Sequence, residues 1–238
     1  MRRAEEIDRL LAQRLAEHQA LHDPAREPRN RMPWLPALRR WQAQRLKRSF
    51  APLLADPGTR PAAEFFLSDL YNDHDFSRRD ADLARVLPKM QRLLPESLLV
   101  TVADAIELGT LTHRLDLAVA EALQRLAPPG ATLDVALYAH AYREAGTPAL
   151  RGRQIDLVVQ SGEGLAKAMR LPGLGMLLRV SRTAAYAAGV EALQGFLERG
   201  YAAFHRMRDP HGFLLTVERA EREVSRRLFA GHPDPFGA

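Results

Sequence analysis

With no cysteine in the chain, the residues best suited to chemistry are eight histidines and the acids near them. His18 and His22 stand at i, i+4 near the end of an N-terminal helical pattern, which puts two imidazoles on one face. Zinc-protease chemistry requires a Glu directly after the first His, and Gln19 stands there instead. The pair is therefore expected to face solvent at a fraying helix end. His113 lies in the longest apolar pattern, "ELGTLTHRLDLAV", where a lone imidazole suits a haem axial ligand or a general base. Asp116 and Gly109 sit about one turn either side, which favours a hydrogen-bonded core histidine. His140 and His205, flanked by Tyr138, Tyr142 and Phe204, suit core packing or an apolar pocket wall.

The window "FFLSDLYNDHDFSRRD", Phe65 to Asp80, gathers Asp73, His74 and Asp75, which are hard and borderline metal ligands. Three adjacent loop residues cannot all point at one ion without a purpose-built backbone, and no Gly follows at EF-hand spacing. Ser77 to Asp80 instead fits a capping box, so the window reads as helix end, short loop and new helix start. Asn72 suits the left-handed position at that helix end. A further reading makes Asp69, Tyr71, Arg79 and Asp80 a buried polar network locking two helices together, since buried charges must be paired. These four, with His74 and His113, are the candidates for lining a ligand pocket.

Other chemistries fail on spacing. A ferritin-type di-iron centre uses Glu-x-x-His, and none of the residues three before the histidines is Glu. "IDLVVQSGEGLAK" has Gly162 and Gly164 of a dinucleotide loop, but Lys167 takes the third glycine's place and no other strands exist. One helix tolerating both glycines is preferred. Walker A, G-x-S-x-G and S-x-x-K motifs are missing. No catalytic residue, metal or cofactor is assigned; the chain reads as a binder rather than an enzyme, the alternative being a helical pocket protein for haem, a metal or a small apolar ligand, which leaves an enzyme open.

The elements that would carry these residues are helical almost throughout. Ile7, Leu10, Leu11 and Leu15 form a first stripe, broken by the proline-rich "DPAREPRNRMPWLP". Helices are expected at about 36–56, through Phe65 and Leu70, from Ser77 to about Leu94, and from Pro95 to about Leu126. Others follow at about 133–145, 149–170, 174–207 with a break near Arg182, and 213–229. Strand signals are nearly missing, so the fold class is all-α, one compact bundle of eight or nine helices. The division is 1–35 for the first helix and linker, 36–230 for the globular body and 231–238 for a frayed tail.

Of 238 residues 46% are hydrophobic and 26% charged, ordinary for a soluble globular chain. Lack of cysteine excludes disulfides, thiolate metal sites and Cys nucleophiles. Neither a secretory signal nor a membrane-spanning stretch is present, so a cytoplasmic location is expected. The net charge of +5 is concentrated: between Pro24 and Phe50 eight cations face one acid, Glu27, a local balance of +7 that leaves −2 for the remainder. Arg39, Arg40, Trp41, Arg45, Lys47 and Arg48 thus form the candidate contact for an anionic partner, whether nucleic acid, acidic protein or membrane surface. The competing reading is a merely solvated arginine face, in a chain with three lysines. A homo-oligomer is a further option.

The pattern "FFLxDLY" followed by "RD", with "RGRQIDL" (Arg151 to Leu157) and "LQGFLERGYAAFHRM" (Leu193 to Met207), resembles an uncharacterised family of proteobacterial helical proteins. The resemblance runs from about Ala62 onward. It implies a whole intracellular bacterial protein and carries over no activity and no residue role.

Overall fold

The computed structural model describes residues 2–70, 82, 85–86 and 95–237. Among these there is no strand, and ten α-helices make an all-α bundle. They are α1 (Arg2–His22), α2 (Trp34–Ser49), α3 (Ala51–Ala55), α4 (Arg60–Phe65), α5 (Glu96–Leu126), α6 (Val135–Ala145), α7 (Pro148–Met169), α8 (Leu174–Ala187), α9 (Glu191–Phe204) and α10 (Pro210–Phe229). A 3-10 turn, Pro28–Arg31, lies in the proline-rich linker, and a π-helical turn, Phe66–Leu70, extends α4.

The organising element is α5, whose 31 residues extend for about 46 Å at the usual helical rise. It starts directly after Pro95, ends before the Pro128-Pro129-Gly130 turn, and buries residues from Leu99 to Leu123. Helices α1, α2, α6 and α7 pack around it, α10 lies on α7 and α6, and α9 joins α4 to α8. One apolar cluster unites Phe50, Phe65, Phe66, Phe204, Phe213 and Leu214, and a second unites Leu38, Leu117, Leu123, Tyr138, Tyr142 and Leu228.

Local chemistry sets the boundaries. Asp134, Thr147 and Asp209 each accept a backbone N–H in the first turn of α6, α7 and α10, and Pro148 and Pro210 begin the latter two. The expected helix over 36–56 is in fact two, because Pro52 lacks the N–H that would continue the ladder past Phe50. The break expected near Arg182 falls instead at Gly189, whose φ of 65° suits the left-handed end of a helix. Arg182 is inside α8 and pairs with Glu198.

The glycines of α7 are spacers. A Cβ on Gly162 would lie 2.4 Å from Leu214 Cδ2, and one on Gly164 would lie 2.2 Å from Thr101 Oγ1, so both let neighbouring helices approach closely. The tail, expected to fray, is packed against the bundle here. Pro235 is fully buried, Phe236 packs beside Trp41 and Tyr138, and Arg227 donates to the Gly237 carbonyl. Three aromatic rings outweigh the fraying tendency of a terminus.

Candidate functional site

The histidines judged peripheral in the sequence meet where α1, the linker turn and α2 converge on α5. His18 is buried rather than solvent-facing, and His22 is half-buried. Their ring centroids are 4.1 Å apart, and His22 in turn stacks on His113 at 4.0 Å with 19° between the planes. The helix end does not fray because the linker folds back over it. Gly109 makes room on α5: a Cβ there would sit 3.2 Å from the His18 ring.

Hydrogen bonds fix each ring's protons. Asn30 donates its amide to the carbonyls of Leu21 and Glu27, at 2.9 and 3.0 Å, so its oxygen faces His113 Nε2 at 2.7 Å. Arg39, which can only donate, lies 2.7 Å from His113 Nδ1. His113 is therefore the neutral tautomer, donating from Nε2 and accepting at Nδ1. His22 Nδ1 donates to the His18 carbonyl at 2.8 Å. Thr110 gives its hydroxyl proton to Ile106 and accepts from His18 Nδ1 at 3.1 Å.

Burial, reinforced by His22, the Arg39 cation and His18, lowers the His113 pKa to about 3. One turn along α5, buried Asp116 accepts from Gln42 at 3.3 Å and lies 3.8 Å from Arg39 Nε. Burial pushes its pKa up, against the pull of Arg39, Arg151 and Gln42. The loop that presents Asn30 is held by a two-pronged Arg29–Glu27 pair, and the hydrogen bond from Arg29 lowers the Glu27 pKa to about 2.

Both His113 nitrogens are thus engaged inside the chain, and neither points at an open position for an axial ligand or substrate. Among the described residues no group of three or more His, Asp or Glu could hold a metal ion. His140 and His205, read as core or pocket wall, are exposed, because α6 and α9 turn their aromatic neighbours inward. Tyr71, His74, Arg79 and Asp80 lie outside the described residues, as do the loop Asp73 to Asp75, Asn72 and the Ser77 cap. Asp69 is buried, and its carboxylate takes Arg199 of α9, at 2.6 and 2.9 Å, as a partner.

The basic segment separates into two faces of α2. On the inner face, Arg39 is taken up by His113 and Asp116, and Trp41 stacks on Tyr138 at 4.3 Å. Arg45, 8% exposed, pairs with Glu221 at 2.5 and 3.2 Å. On the outer face Arg40, Lys47 and Arg48 are exposed. No acid occurs between Pro28 and Ala55 to neutralise them locally. A cavity of about 310 Å³ between α1, α5 and α7 contrasts with this stripe. Its wall charges are paired, Arg14 with Glu107 and with Asp104 outside the wall, Arg153 with Glu107 at 2.6 Å, and Arg114 with Glu17.

Sequence reasoning missed Asn30, Gln42 and Glu221. Asn30 sits in a proline-rich linker with no periodicity, and Glu221 lies far along the chain from Arg45. No helix among the described residues is long and apolar enough to cross a membrane. No curated protein and no solved structure matches the chain. A family model does match, over residues 21–235, taking in His22, Asn30, Arg39 and His113. The chain belongs to that family, described as Domain of unknown function (DUF8198).

Proposed function

We propose that this chain is a binding protein that offers the outer face of α2 to an anionic partner, with the histidine cluster serving to set that helix. The observation that carries this reading is the division of α2's cations. Arg39 and Arg45 are used up inside the bundle, while Arg40, Lys47 and Arg48 stand exposed in a stretch without acids. Such a stripe suits phosphates, a carboxylate-rich protein or an anionic bilayer surface equally in charge. The segment's sequence has no helix-turn-helix context, so the reading does not extend to sequence-specific DNA binding. The rival reading, a pocket around His113 for haem, a metal or a small apolar ligand, has against it that both ring nitrogens are already engaged.

The test is retention on immobilised heparin. The full chain is expected to elute well above physiological salt, and the triple variant R40E/K47E/R48E in the flow-through with an unchanged thermal midpoint. Equal retention of the two would refute the reading.

A further inference from the structure

Helix α8 is apolar on the side turned away from the protein. Its inner side is fixed to α9: Gln194 donates to the Leu178 carbonyl at 2.6 Å, Ser181 donates to the Gln194 side-chain oxygen at 3.3 Å, and Arg182 grips Glu198 at 2.6 and 2.9 Å. The outer side, one hundred degrees per residue around the wheel, gathers Met176, Leu177 and Val180, which are 73%, 57% and 69% exposed. With Tyr186 at 63% they are the four most exposed large apolar residues among those described. Isolated exposed apolar side chains are ordinary, but a contiguous row on one helix marks a contact surface.

Charge identifies what covers it. From Gly164 to Val190 there is no acid, while Lys167, Arg170 and Arg179 fall in the stretch beside Arg182, which Glu198 already takes up. Arg179 and Tyr186 lie on one flank of the apolar row, and Arg170 just precedes the helix; all three are exposed. A second copy of the chain would bring cation against cation across this surface. An anionic bilayer satisfies both features: apolar side chains enter the acyl boundary while Arg and Tyr stay among the headgroups. We propose that α8 is an interfacial helix that lays Met176, Leu177 and Val180 into the surface of a membrane rich in anionic phospholipid. This contact is separate from the α2 stripe and fails independently of it.

Vesicle flotation of the full chain tests it, with phosphatidylcholine vesicles and vesicles in which about a third of the lipid is phosphatidylglycerol. Flotation is expected with the second set only. M176D and V180D are each expected to cut the bound fraction about tenfold or more, since each drives a charge into the acyl boundary. V180L should float like the parent, and circular dichroism should show both Asp variants fully helical, because the positions are exposed. R40E/K47E/R48E should still float. No flotation with either set, flotation unaffected by M176D and V180D, or flotation lost only in the α2 variant would each overturn the proposal. So would a concentration-dependent dimer that V180D dissociates, which would assign the face to a second copy.

Discussion

His22 of α1 lies face to face on His113 of α5, with ring centroids 4.0 Å apart. The stack joins the end of the first helix to the middle of the central one. A proton on His113 works against it, because burial, His22, the Arg39 cation and His18 all disfavour charge on that ring.

Acid should therefore loosen the N-terminal arm. The folded His113 pKa is about 3, below its ordinary value of 6.5, so between those values the unfolded chain binds a proton that the folded chain refuses. Stability from this residue is complete above pH about 6.5 and is lost as pH falls towards about 3. The raised pKa of Asp116 works in the opposite sense, favouring the folded state as pH falls, and so blunts the loss. Thermal midpoints measured from pH 7 to 4 should fall less steeply for H113Q than for the parent. Parallel slopes would show that His113 does not couple to folding.

Asn30→Ala should cost about 1–3 kcal/mol, because it removes the Asn30 oxygen from the buried His113 Nε2–H. It also releases the linker, since the Asn30 amide ties Leu21 to Glu27. Urea unfolding measures the first effect, and faster hydrogen exchange at the end of α1 reports the second.

The Arg45–Glu221 pair joins α2 to α10. Burial pulls the Arg45 pKa down, but Glu221 more than offsets this and leaves it raised. Among the described residues Arg45 Nε has no hydrogen-bond partner, so the pair is incompletely satisfied. Glu221→Gln should cost about 3–5 kcal/mol by stranding a buried cation, while R45M/E221M should come within about 1 kcal/mol of the parent. Chemical denaturation of the parent, E221Q and R45M/E221M reads both values.

Gly162→Ala opposes two effects of known size. Helix propensity favours Ala by about 1 kcal/mol, whereas overpacking a closed core costs about 1–3 kcal/mol. Leu214, whose methyl would lie 2.4 Å from the new Cβ, is 3% exposed and would have to shift within the core. Net destabilisation is expected, and L214A should be less damaging in the G162A background than alone.

Much of the architecture was legible because helical punctuation is local. Pro95 and the Pro128-Pro129-Gly130 turn bound α5 in the sequence as they do in the fold. The Phe50 break was less legible because Leu46, Phe50 and Leu53 keep helical spacing straight through it, and Pro52 gives the only warning. The histidine site was not legible. Its members come from α1, the linker, α2 and α5, and a half-buried His22 has the same local sequence as a solvated one until the linker folds over it. The inward turn of Arg39, Trp41 and Arg45 was hidden for the same reason, since a basic segment gives no sign of which cations meet acids elsewhere.

The most direct test of the α2 reading is the salt dependence of binding to a duplex DNA of about 20 base pairs, used as a generic polyanion. Three contacting cations predict that log K falls with log salt at a slope of about −3, and that the slope approaches zero in R40E/K47E/R48E. An unchanged slope in that variant would contradict the account.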